Sequence, residues 1–238
     1  MKIYLVRHGE TDWNQAGLLQ GQTDIALNAQ GLEQAHDAAE RLKKVPFEIA
    51  FCSPLIRAKR TAEIIIGDRK ITLTTDERLR ELNFGPWEGV DIRTIKDAAS
   101  QPFTNPGSYI PPVGAESFAQ LYKRSGEFVD QVLLPLEGTY ETVLVVAHGG
   151  VNRSILNPVL NIPVDDFWRV HMGNCATAIL DCTDGKLSSL EYTDSPSANT
   201  KSRLLWRKSN MKKSYIGYIR RMRFRMALNG YHDGKVRG

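Results

Sequence analysis

The chain has 238 residues, 42% of them hydrophobic and 24% charged, enough for one large domain or for one domain with an appendage. It holds no run of 18 apolar residues, and the apolar stretch after Lys2 is too short for a signal peptide, so neither a membrane span nor export is expected. The net charge of +4 hides a split: Pro196 to Gly238 carries twelve Lys/Arg and one acid, Asp233, which leaves nineteen basic against twenty-six acidic residues in the remainder.

Three cysteines, Cys52, Cys175 and Cys182, lack metal-ligand spacing. Their odd, sparse count predicts small buried hydrophobes in a reducing compartment, the cytoplasm.

In chain order, Ile3–Val6 predicts a buried strand that runs directly into Arg7, His8, Gly9 and Glu10. Asn28 is placed to cap a helix to about Lys43, with Leu32, Ala35, Ala39 and Leu42 on one face. Ile49–Cys52 reads as the next strand, and Ser53-Pro54 as the cap and first position of a helix to about Ile66. Ile71–Thr74 reads as a third strand. The stretch Gln101–Gly114 has four prolines and two glycines, which predicts a loop rather than a helix or central strand. A helix from Glu116 to about Leu134, a strand at Val143–Ala147 and a helix from Gly150 to about Leu160 follow. Thr177–Cys182 and Lys186–Tyr192 flank Thr183-Asp184-Gly185, an antiparallel hairpin at or beyond the sheet edge. The strand–helix alternation predicts a mostly parallel sheet with helices on both faces.

Ser195–Lys201 reads as a linker, dividing the chain into a domain over 1–195 and a basic extension over 196–238. Within Met211–Leu228, Tyr215, Ile219, Met222 and Met226 follow helical spacing, with Arg220, Arg221, Arg223 and Arg225 largely elsewhere. Such a segment suits an acidic surface, whether membrane, nucleic acid or the acidic body, or is a solvated extension without a specific partner.

In an open α/β sheet, ligands bind beyond the carboxyl ends of the strands. Two strands here end in His-Gly, at His8-Gly9 and His148-Gly149, and the strand before Ser53 leads to Arg57. Parallel neighbours would bring two imidazoles and the guanidiniums of Arg7 and Arg57 to one rim. Guanidinium forks and helix N-termini match phosphate oxygens. A neutral imidazole can accept a phosphoryl group, and surrounding cations stabilise its transfer. Glu81 is the first candidate for a proton donor to the leaving oxygen, ahead of Glu10 and Glu88. His36 and His171 fit a helix surface and a packed loop, and Trp87 fits core or wall, without chemistry.

The motifs Arg7-His8-Gly9-Glu10-Thr11 with Trp13-Asn14, Ser53-Pro54-Leu55-Ile56-Arg57-Ala58, Leu79-Arg80-Glu81-Leu82 with Phe84-Gly85-Pro86-Trp87-Glu88-Gly89, and Ala147-His148-Gly149-Gly150 occur in this order. Together they resemble the histidine phosphatase superfamily, the phosphoglycerate-mutase-like proteins, over about Met1 to Tyr192. The resemblance implies an α/β three-layer α/β/α sandwich, its sheet mostly parallel with one antiparallel strand. It implies His8 as phosphoryl acceptor, with Arg7, Arg57 and His148 clamping the phosphate. Asn14, Gln20, Gly21 and Gly149 would add binding contacts, and Glu81 would act as general acid and then base. It implies a small phosphorylated substrate and no cofactor or obligate metal. Only 67 positions separate Glu81 from His148, and the FGPWEG form looks like the phosphatase branch, which includes α-ribazole phosphatases and broad-specificity phosphatases. A phosphomonoester hydrolase is therefore expected ahead of a mutase-type phosphoryl transferase or a non-catalytic phosphate-binding scaffold. The Gln101–Gly114 loop with Tyr109 is expected to select the substrate.

Overall fold

A computed structural model of the chain describes residues 1–94 and 100–193. The expected linker at Ser195–Lys201 and the basic extension lie outside the described residues. The elements in order are β1 (Lys2–Arg7), α1 (Asp12–Ala16), α2 (Ala29–Arg41), β2 (Ile49–Cys52), α3 (Ile56–Ile66), β3 (Thr72–Thr75), α4 (Gln101–Thr104), α5 (Phe118–Phe128), β4 (Thr142–Ala147), α6 (Gly149–Leu160), β5 (Thr177–Thr183) and β6 (Lys186–Thr193).

The six strands form one sheet in the order β3-β2-β4-β1-β5-β6. β3, β2, β4 and β1 pair in parallel, and β5 runs against both β1 and β6. A single strand, β5, is thus reversed. β4 is buried along its whole length, as expected of a strand covered on both faces. Its alternation divides the core: Val143, Val145 and Ala147 join the cluster of α5 and α6, whereas Leu144 and Val146 join that of α2 and α3. Three layers result.

The cap at Asn28 forms as the sequence indicates, its side chain accepting the Gly31 N–H at 2.7 Å. The buried face of α2, however, is Gly31, Gln34, Ala35 and Ala38, and Leu32 is exposed. Gly31 faces the core because the backbone after β1 passes against it. A Cβ on Gly31 would lie 2.0 Å from the Glu10 carbonyl oxygen, and one on Gly9 would lie 2.4 Å from that of Gly31.

α3 starts two residues later than expected. Leu55 is its N-cap, Ser53 Oγ accepts the Leu55 N–H at 3.3 Å, and Asp24 Oδ1 reaches across to the Ile56 N–H at 2.7 Å. Gln101–Gly114 is not wholly loop: Pro102 sits in the first turn of α4, where a missing N–H costs nothing, and Pro106 opens a 3₁₀ turn over 106–108. The helix expected to reach Leu134 begins after a capping box at Ser117 and Gln120, but widens to a π turn at Val129–Leu133 and ends in a 3₁₀ turn at Leu134–Leu136. The β5–β6 hairpin closes through Asp184 and Gly185, both with positive φ (54° and 64°), the geometry of a tight two-residue turn. His171 is exposed rather than packed.

Candidate active site

The site grows from one register. Arg7 lies opposite Ala147 in the β1–β4 ladder, so His8 and His148 leave adjacent strands side by side. The His8 N–H donates to the Ala147 carbonyl at 3.0 Å, and the imidazole centroids are 5.0 Å apart. His8 Nδ1 lies 2.6 Å from the Gly9 carbonyl oxygen. Because a carbonyl only accepts, Nδ1 carries the proton and Nε2 keeps its lone pair. The Gly9 N–H in turn donates to Thr61 Oγ1 at 3.1 Å, tying the turn to α3.

β2 beside β4 brings α3 to the same rim, with Arg57 fully buried in its first turn. Its guanidinium donates to the carbonyls of Gly21 (2.7 Å) and Thr23 (2.8 Å), and its Nε has no partner. Burial lowers the Arg57 pKa to about 10, against the opposing pull of Glu81 and Asp24; the group remains a cation at neutral pH. Arg7 Nη1 donates to the Met172 carbonyl at 2.6 Å. Both imidazole nitrogens of His148 are buried and unpartnered. A buried polar pair without partners is costly, and the unpartnered Arg57 Nε shares that state, so the rim holds polar atoms that a ligand would satisfy.

Glu81 arrives at the N-terminus of α6. Its carboxylate accepts the N–H groups of Leu82 (2.8 Å), Gly150 (3.0 and 2.9 Å) and Val151 (3.1 Å), which fix it at the first turn of α6. A Cβ on Gly150 would lie 2.5 Å from Glu81 Oε1, so a side chain there would displace the carboxylate. The two runners-up for the acid have other work. Glu10 Oε1 accepts from Asn28 Nδ2 at 3.0 Å. Glu88 holds the 21–23 turn by accepting the Gln22 and Thr23 N–H groups at 2.9 and 2.8 Å.

The remaining expected binding residues have defined partners of their own. Asn14 Oδ1 closes the α1 capping box with Thr11, and Gln20 Oε1 accepts from Thr11 Oγ1 at 2.9 Å. Gly21 contributes its carbonyl to Arg57; it has φ +53°, and Glu88 fills the space of a side chain. Gly149 opens α6 directly after His148.

Several contributors carry no mark in the motifs. Asn174 Nδ2 donates to the His8 carbonyl at 3.2 Å from the turn that precedes the reversed strand β5. Arg124 on α5 forms a forked pair with Glu116 (2.6 and 2.8 Å) and donates to the carbonyls of Arg78, Arg80 and Glu81, so it fixes the segment that carries Glu81. Gln22 Nε2 also donates to the Glu81 carbonyl, at 3.0 Å. A lone arginine in an amphipathic helix gives no sequence signal for this task. Tyr109 is buried against Trp87 and Phe118; it forms part of an aromatic wall. Burial pushes the Cys52 and Cys175 thiols up to about 12, which makes them unreactive. Among the described residues no group of three or more His, Cys, Asp or Glu is placed to hold a metal ion.

The profile of the histidine phosphatase superfamily (branch 1) matches residues 3–195. The chain belongs to the histidine phosphatase superfamily. It is 32% identical over 184 residues to the adenosylcobalamin/alpha-ribazole phosphatase of Escherichia coli K12, covering 75% of this chain and 89% of that protein. It is 34% identical over 201 residues to a Yersinia pestis protein named probable phosphoglycerate mutase GpmB, covering 82% and 87%. Among solved structures, the phosphoserine phosphatase of Entamoeba histolytica in complex with 3-phosphoglyceric acid superposes with a TM-score of 0.70 at 30% identity, covering 82% of this chain and 98% of that one. The superfamily thus includes relatives named as phosphatases and as mutases, and the fold is theirs.

The electrostatics of this superfamily member have a measurable consequence. Burial holds the His8 and His148 pKa values well below the usual histidine value, and Arg57 adds to the effect in both. In the unfolded chain each titrates near the ordinary value of about 6.5. The unfolded state then binds more protons below that pH, so stability is full above about pH 6.5 and is lost as pH falls below it toward the depressed folded values. Denaturant midpoints of the phosphate-free protein are expected to drop between pH 7.5 and 5. A His8→Gln/His148→Gln double variant should flatten that slope, and an equally steep slope in the variant would exclude these rings as its source.

Proposed function

We propose that this chain is a phosphomonoester hydrolase that acts on a small phosphorylated metabolite through a phosphohistidine. The observation that carries this function is the His8 tautomer: Nδ1 is committed to the Gly9 carbonyl, which leaves Nε2 as a nucleophile beside His148 and Arg57. In the first step Nε2 bonds to phosphorus, the ester P–O bond breaks, and the Glu81 carboxyl gives its proton to the leaving oxygen. Arg7, Arg57 and His148 bind the phosphoryl oxygens, assisted by Asn14, Gln20 and the backbone around Gly21 and Gly149. In the second step Glu81 takes a proton from water, the water oxygen bonds to phosphorus, and the N–P bond breaks to release inorganic phosphate.

Hydrolysis is favoured over mutase transfer by the short span between Glu81 and His148, 67 positions. The compartment proposed is the cytoplasm, with no metal cofactor. The domain is proposed to end near residue 195, where the superfamily match ends, and the basic extension over 196–238 to contact an acidic surface. A panel of phosphomonoesters assayed in EDTA tests the chemistry. Release of inorganic phosphate is expected from several of them. No release across the panel, or phosphoryl transfer to an added acceptor in place of release, would contradict it.

A further inference from the structure

We propose that Arg153 is a specificity-determining residue that binds a carboxylate on the leaving-group portion of the phosphomonoester; this rests on the hydrolase function above. Arg153 lies one turn into α6 and is 8% exposed. Its guanidinium is fixed from three sides. Nε donates to the Val170 carbonyl at 2.8 Å, Nη1 donates to the Gly149 carbonyl at 2.8 Å, and the group stacks 5.1 Å from the Trp168 ring centroid. Nη2 makes no hydrogen bond among the described residues and is not sealed from solvent.

Two features point to a ligand. The first is position. The point where a Gly149 Cβ would sit is 3.1 Å from Arg153 Nη1, 3.6 Å from Arg7 Nε and 3.7 Å from Glu81 Oε2. The missing side chain lets these three groups converge beside the carboxyl that protonates the leaving oxygen. A cation next to that carboxyl meets the organic part of the ester, while Arg7, Arg57 and His148 take the phosphoryl oxygens. The second is charge. A largely buried guanidinium is costly unless an anion answers it. Arg153 forms no salt bridge among the described residues, and its protein acceptors are two neutral carbonyls. Glu81 lies near enough to act on Arg153 without forming an ion pair with it; a substrate carboxylate would supply a directly paired counter-charge and accept from the Nη2 edge of the preorganised fork.

A matched pair of substrates reads this directly: 3-phosphoglycerate and glycerol 3-phosphate share a carbon skeleton and differ by carboxylate against hydroxymethyl. The parent enzyme is expected to show a kcat/KM ratio of about tenfold or more in favour of the carboxylate, the scale of a hydrogen bond to a charged group. In Arg153→Gln the ratio should fall to within about threefold of one, with Arg153→Lys intermediate. A parent ratio near one overturns the proposal without any variant. A ratio kept in Arg153→Gln or Arg153→Lys while both rates fall together would show a strap between Val170 and Gly149 and nothing more. Phosphate release from glycerol 3-phosphate without carboxylate preference sinks this role for Arg153 and leaves the hydrolase standing. No release from any phosphomonoester overturns both.

Discussion

Replacing His8 by alanine is expected to lower the rate of phosphate release by about 10³-fold or more, because no other side chain can take over the covalent step. His148 is close at 5.0 Å between rings, but it lacks the Gly9 carbonyl that sets the tautomer, and both of its nitrogens are buried without a hydrogen-bond partner. The buried thiols are no substitute, since burial keeps them protonated. The substitution removes a group that must stay neutral in the fold, so the variant should remain folded and lose part of the acid sensitivity of the parent. Steady-state assays with an acid-quench search for phosphohistidine check both points. A His8→Ala enzyme that turns over like its parent would eliminate the covalent route.

Adding one methyl group at Gly150 is expected to be nearly as damaging, by about 10²–10³-fold, the range of a lost general acid. The new Cβ would fall 2.5 Å from Glu81 Oε1 and 3.3 Å from its Cδ. The carboxyl must then leave the Leu82, Gly150 and Val151 amides that hold it. Alanine is a better helix former than glycine by about 1 kcal/mol, so Gly150→Ala should lose activity without melting α6. Glu81→Gln should lose a comparable factor, and the two changes together should cost little more than either alone, because they act on the same group. Additive losses would show that Gly150 matters for something other than the acid.

Much of the fold was legible in the sequence because its signals are local. The strands at Ile3–Val6, Ile49–Cys52 and Val143–Ala147 lie within one residue of their observed bounds, and the hairpin at Asp184-Gly185 follows from turn chemistry that those two residues carry by themselves. Misreadings fell where a neighbour in space overrides local preference. Ser53-Pro54 reads as a helix start, yet Asp24, from another segment, caps the Ile56 amide. Leu32 fits the apolar stripe of α2, yet Gly31 takes the buried position because the backbone of Gly9 and Glu10 leaves no room for a side chain. Pro102 reads as a breaker, and at the first turn of α4 it breaks nothing.

The sequence by itself determined the candidate groups: an imidazole and a guanidinium at the end of β1, a second imidazole after β4, Arg57 after β2 and a carboxyl at Glu81. Strand ends, ring nitrogens and guanidinium charge belong to the residues and survive any packing. The tertiary structure alone decided what each group does with its remaining atoms. Register sets His8 against His148, the Gly9 carbonyl selects the free nitrogen, and the α6 amides hold the Glu81 carboxylate while Asn28 and the 21–23 turn engage Glu10 and Glu88. Hydrogen bonds to backbone amides and carbonyls carry no side-chain signature, so Arg124 under Glu81 and Arg153 beside it become visible only once the chain has folded and brought those backbone groups within 3 Å of them.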